Sequence, residues 1–179
     1  MEKINNCEKC NLYKNQKPIL DKNLKNTNVM FLGMSAVKIK EGKIWEPLAK
    51  DTRTGRVIEE IEKLAKKEIW KSNMVKCLPL DRNYHIRAPK KIEMETCYEN
   101  YLYEIKIRNP KIVVLLGKDV SSFILKKEII FPELNENFKY EYIEKEGIKY
   151  LAVHHPSYIL KKKQNIRERY KNVIASLIK

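Results

Sequence analysis

A chain of 179 residues, 43% hydrophobic and 34% charged, can bury one core and is expected to form a single domain over residues 1–179. That charge density leaves no run near the roughly 20 apolar residues of a membrane span, and MEKINNCEKC lacks the apolar core of a secretory signal. A cytoplasmic protein with reduced cysteines is therefore expected. Lys and Arg outnumber Asp and Glu by 37 to 23, a net charge of +14; this attracts polyanions such as nucleic acid, although a Lys- and Ile-rich composition runs through the whole chain.

In chain order, Cys7 and Cys10 form a C-x-x-C in a polar segment. Val29-Met30-Phe31-Leu32 reads as a buried strand running into the loop Gly33-Met34-Ser35-Ala36. Val57, Ile58, Ile61, Leu64 and Ala65 lay an apolar stripe along a helix opened by Gly55-Arg56. A second strand through Met74-Val75 leads into a loop from Asn73 to Leu80 that contains Cys77. Pro89 starts a helix in which Cys97, Tyr101 and Ile105 recur every four residues, ending at Asn109-Pro110. Ile112 to Leu116 is apolar throughout, as a strand covered on both faces should be, and is followed by Gly117-Lys118 and a short helix from Val120 to Leu125. Alternation from Phe138 to Val153 about Glu146-Gly147 predicts a hairpin. It leads into a last strand, Tyr150 to Val153, and the loop His154-His155-Pro156-Ser157. Ile166, Tyr170, Val173, Ile174 and Leu177 mark a C-terminal helix.

Strands alternating with helices predict an α/β fold: a parallel sheet with right-handed crossovers and helices on both faces. Ligands of such sheets bind beyond the carboxyl ends of the strands. The chemically unusual residues fall in the four loops at those ends.

The cysteines suit a shared metal. Cys7 and Cys10 offer two thiolates from one turn of chain, Cys77 follows the second strand, and Cys97 lies on the next helix. Thiolate softness and a ligand count of four leave zinc and a four-iron cluster equally open.

Together these motifs resemble the family-4 uracil-DNA glycosylases, the iron–sulfur branch of that superfamily. The resemblance is carried by Cys7-x-x-Cys10, the strand ending in Gly33, Asn73-Met74-Val75-Lys76-Cys77-Leu78-Pro79, Cys97, Pro110 to Gly117, and His155-Pro156-Ser157-Tyr158-Ile159-Leu160. It implies a three-layer sandwich with a central four-stranded parallel sheet. It also implies a [4Fe–4S] cluster on Cys7, Cys10, Cys77 and Cys97, favoured over zinc, which would tie down segment 1–25. DNA, single strands included, is the implied partner, and a monomer is assumed. Asn73 holds the position of the uracil-reading asparagine, and His155 that of the donor to the departing base. Gly33, Met34, Ser35 and Leu48 would wall the base pocket; Ser157 and Lys161, with Lys162 and Lys163, would meet phosphates. His154 is read as structural.

The first motif departs from the family. A Gly-Glu-Ala-Pro-Gly segment, whose glutamate positions water, is replaced by Gly33-Met34-Ser35-Ala36-Val37. The stacking phenylalanine of a Pro-Phe-Val-Gly segment gives way to Leu48 in Pro47-Leu48-Ala49-Lys50, with Trp45 nearby. Glu41, Glu46 and Asp51 flank this loop, and the sequence does not choose among them. Two functions follow: a DNA glycosylase hydrolysing the N-glycosidic bond of uracil or a related altered base, or a catalytically weak fold-mate that binds nucleic acid or a partner.

Overall fold

A computed structural model describes residues 2–23, 25–43 and 45–179. Its sheet has five strands: β1 (Val29–Ser35), β2 (Trp70–Val75), β3 (Ile112–Leu116), β4 (Tyr142–Lys145) and β5 (Ile148–Val153). Their order is β2-β1-β3-β5-β4. The first four are parallel, as the apolar runs require. The fifth corrects the expected four-stranded sheet. It is the first arm of the predicted hairpin, pairing antiparallel with β5 across a turn whose Glu146 and Gly147 both have positive φ (53° and 75°).

Alternate residues of the strands feed two cores, the period-2 consequence of the pleat. Phe31, Val114, Leu116, Leu151 and Val153 pack against Val57, Ile58 and Ile61 of α2 (Arg53–Ala65) and Tyr170 and Ile174 of α6 (Gln164–Ile178). Met30, Leu32, Met74, Val113 and Leu115 pack on the other face, against Tyr101 of α3 (Lys91–Arg108) and Val120 and Ile124 of α4 (Lys118–Leu125). Full burial of each such side chain contributes about 1.5–3 kcal/mol, so both helical layers are held by the sheet.

The helix starts differ from the sequence reading by a few residues, for capping reasons. Thr52, ahead of Gly55-Arg56, caps α2: its hydroxyl accepts from the Gly55 N–H at 2.9 Å. Pro89 lies two residues before α3, whose first turn is fixed by Glu93 accepting from the Lys90 N–H at 2.7 Å and from the Arg87 guanidinium. Asn109, in the left-handed conformation at φ 44°, ends α3 before Pro110, as expected.

The buried face of α3 is Cys97, Asn100, Tyr101 and Glu104 rather than a stripe continuing to Ile105. Glu104 is drawn inward because Lys76 is buried opposite it. The Lys76 ammonium pairs with the Glu104 carboxylate and donates to Ser72 Oγ at 2.8 Å and to the Asn73 main-chain oxygen at 2.5 Å. Ser72 Oγ in turn donates to Glu104 at 2.6 Å. A buried charge is tolerated only when paired and hydrogen-bonded in this way. The network fixes the carboxyl end of β2, between Asn73 and Cys77.

The N-terminal segment includes the helical turns α1 (Glu2–Asn5) and Asn11–Lys14. It is held by more than its cysteines: Ile4, Leu12, Ile19 and Leu20 are buried, and the Ile19 N–H donates to the Lys76 carbonyl at 2.9 Å. Among the described residues, no helix is long and apolar enough to cross a membrane.

Candidate active site

Strand order places a crevice where the chain direction of the sheet reverses. From β1 the chain steps outward to β2, then crosses back over β1 to β3. The carboxyl ends of β1 and β3 therefore part around a gap, where ligands of open α/β sheets bind. Each end carries a glycine, and each glycine faces a polar side chain from the strand beyond it.

On one side Gly33 is register partner of Asn73. A Cβ at Gly33 would lie 2.5 Å from Asn73 Oδ1 and 3.0 Å from Leu48 Cδ2, so the missing methyl is the space the amide and the leucine occupy. On the other side Gly117 has φ 105°, and a Cβ there would lie 3.3 Å from His155 Cβ. Its N–H donates to the Val153 carbonyl at 2.8 Å, fastening it to the end of β5 just before the histidines.

Beside Gly33 is a cavity of about 260 Å³, lined by Gly33, Met34, Ser35, Leu48, Asn73 and His155 together with Ala36, Val37, Pro47 and the start of α2. Residues spread over more than 120 positions of sequence thus meet at one rim. Asn73 is only 3% exposed, and its side-chain amide forms no hydrogen bond to a described residue, those outside the sheet ladder falling on its main-chain oxygen. Its amide is left to match a donor–acceptor edge presented by whatever enters.

His155 caps α5 (Pro156–Ile159). Its Nδ1 accepts from the Ser157 main-chain N–H at 3.2 Å and lies 2.7 Å from Ser157 Oγ. A main-chain N–H can only donate, so Nδ1 is unprotonated and the neutral ring carries its proton on Nε2. Burial lowers the His155 pKa from the ordinary value of 6.5, in the direction of the neutral ring. The histidine is thus a fixed neutral donor.

His154 is placed as a fastener. Its Nδ1 is 2.7 Å from the Tyr140 hydroxyl, its carbonyl accepts from Tyr170 at 2.7 Å, and its ring stacks on Tyr158. Burial, with Lys162 adding, pushes its pKa down to about 4.

The wall contacts differ from the sequence reading at several points. Leu48 does form an apolar wall, in a left-handed conformation at φ 52° that a leucine adopts only under constraint. Trp45 does not replace the missing aromatic; it is 57% exposed and off the cavity. Ser157 is turned toward His155 and so acts first on the histidine. Lys161 is exposed and outside the lining. Of the three flanking carboxylates, Glu46 lines the cavity, while Glu41 is exposed and Asp51 lies 3.8 Å from Lys43.

The four cysteines line a second, small cavity with Lys76 and Asn100. None is in a disulfide. Asn100 Nδ2 donates to Cys7 Sγ at 3.4 Å and to Cys97 Sγ at 3.7 Å. Burial, reinforced by Cys97, Cys10 and Cys7, pushes the Cys77 thiol up to about 12. Among the described residues no three His, Cys, Asp or Glu side chains are grouped closely enough to hold a metal ion. A donor set of four thiols around one cavity, with an amide already aimed at two sulfurs, fits a multinuclear cluster in kind and number.

The model of the uracil DNA glycosylase superfamily matches residues 16–178. Three relatives are each named type-4 uracil-DNA glycosylase. The Thermotoga maritima protein is 26% identical over 170 residues, 92% of this chain and 83% of its own length. The Archaeoglobus fulgidus protein is 24% identical, over 96% of this chain and 86% of its own. The Saccharolobus solfataricus protein is 28% identical over 70% of this chain, and the match spans 57% of its length. With a family model covering both the β1–β3 crevice and the loops that fill it, the chain belongs to the uracil-DNA glycosylase superfamily.

Proposed function

We propose that the protein is a DNA glycosylase that hydrolyses the N-glycosidic bond of uracil, or of a related altered base, in DNA. The observation that carries this is the pairing of an uncommitted amide, Asn73, with a neutral Nε2–H donor, His155, on one cavity at the sheet's reversal point. A base flipped from the stack is read on its Watson–Crick edge, and the Asn73 amide both donates and accepts. As the bond breaks, negative charge gathers on the base and positive charge on the sugar. His155 Nε2–H stabilises the base oxygen that takes up the charge. The excess of cations, Lys161 among them, holds the phosphates.

Cys7, Cys10, Cys77 and Cys97 would hold a [4Fe–4S] cluster. Its contribution, when bound, is a four-point tie between the N-terminal segment, the end of β2 and α3. The test of function is release of free base from single- and double-stranded oligonucleotides bearing one altered base, with anaerobically prepared protein. Release from uracil-containing strands is expected. Salt-dependent DNA binding with no release from any modified base would select the binding-module reading instead.

Gly33→Ala is a sharper probe of the pocket. The added methyl would stand 2.5 Å from Asn73 Oδ1, so the amide must turn away. Gly33 has an ordinary negative φ, so the strand itself tolerates alanine. The expected outcome is a loss of base release of at least about tenfold, the worth of one misplaced hydrogen bond of ~1.4 kcal/mol, with an overpacking cost of about 1–3 kcal/mol to the fold.

A further inference from the structure

Hydrolysis needs an oxygen nucleophile, and a water attacking a sugar cation must shed a proton as its bond forms. A carboxylate within hydrogen-bond reach is the simplest acceptor at neutral pH. The carboxyl end of β1 offers none: Met34 cannot accept a proton, and the Ser35 hydroxyl is not a base. Three acids flank the next loop, and their environments differ. Glu41 is exposed. Asp51 is engaged with Lys43 at 3.8 Å. Glu46 is half-buried and lines the cavity of Asn73 and His155. It is the one carboxylate among the described residues of that lining, and none of them forms an ion pair with it, although the chain carries 37 Lys and Arg. Arg53 and His155 are the other ionisable groups on the wall.

The chain just after Glu46 is anchored. Pro47 and Ala49 are buried. The Ala49 carbonyl accepts from the Thr52 N–H at 2.9 Å and from the Thr52 hydroxyl at 2.8 Å. Gly55 packs so closely on that carbonyl that a Cβ would lie 1.9 Å away. A carboxylate with no ion-pair partner among the described residues, at the edge of a cavity, is suited to orient water.

We propose that Glu46 holds the attacking water and takes its proton, the role left open by Met34. This rests on the glycosylase reading and adds to it the residue that activates the nucleophile. The C1′–N bond breaks, its electron pair leaving with the base toward His155 Nε2–H. The water oxygen bonds to C1′, and one water proton passes to the Glu46 carboxylate. The base anion is then protonated from solvent and Glu46 returns its proton to solvent, giving free base, an abasic sugar and the carboxylate restored.

The experiment measures single-turnover base release and DNA affinity for wild type, Glu46→Gln and Glu46→Ala, with and without added formate. Because the sugar cation forms ahead of water attack, the expected loss for Glu46→Gln is at the lower end of base catalysis, about 10²-fold, with DNA affinity unchanged. Formate should restore part of the rate to Glu46→Ala and none to Glu46→Gln, which a merely structural role would not produce. Release by wild type with Glu46→Gln within about twofold of it overturns the assignment of Glu46 and leaves the glycosylase intact. Absence of release by wild type overturns both.

Discussion

His155→Ala is expected to slow base release about 10²- to 10³-fold, the loss that follows removal of one preorganised donor worth ~2.7–4 kcal/mol. The magnitude is set by how little the ring has to rearrange. Its Nδ1 is committed to the Ser157 N–H, its backbone caps α5, and Gly117 packs against its Cβ. The Nε2–H is therefore aimed before substrate arrives, with no reorganisation needed as charge develops. DNA affinity should change far less than rate, because in the proposed reading the chain's excess of cations, and not His155, holds the phosphates. Single-turnover release and equilibrium binding separate the two; equal rates in variant and wild type would remove His155 from the chemistry.

The largest effect on the fold is expected from Cys77→Ala. Cys77 is buried at the end of β2, one residue from the Lys76–Glu104 pair. Burial and the neighbouring sulfurs push its thiol up to about 12; in the proposed cluster site Cys77 would be one of four ligands. Losing one ligand should cost the iron and several kcal/mol of metal-linked stability. In a chain of this size that is about 10 °C in Tm, at roughly 2–4 °C per kcal/mol. The N-terminal segment keeps Ile4, Leu12, Ile19 and Leu20 in the core, so destabilisation rather than complete unfolding is expected. Iron content and Tm measured after anaerobic purification check this. An iron-free wild type with the Tm of Cys77→Ala would contradict it, and zinc in place of iron would keep the tie but change the group.

Much of this was legible from the chain. Apolar runs gave β1, β2, β3 and β5, and the Glu146-Gly147 turn gave the hairpin, because strand burial and turn chemistry are local properties. The carboxyl-end rule then collected Asn73, His155, Gly33, Met34 and Ser35 at one rim. Long-range geometry was not legible. That Gly33 is a glycine to make room for Asn73 depends on strand register, and Glu104 faces inward because Lys76 lies opposite it 28 positions earlier. Trp45 read as a candidate wall residue, yet the loop's path turns it to solvent. Glu46 differs from Glu41 and Asp51 only in where that same loop carries it.

The most direct measurement is a crystal structure of the protein soaked with free uracil, the product of the proposed reaction. The base should lie in the β1–β3 crevice, its Watson–Crick edge on the Asn73 amide and a carbonyl oxygen about 3 Å from His155 Nε2. Uracil bound elsewhere, or Asn73 and His155 directed away from a common ligand, would contradict the site.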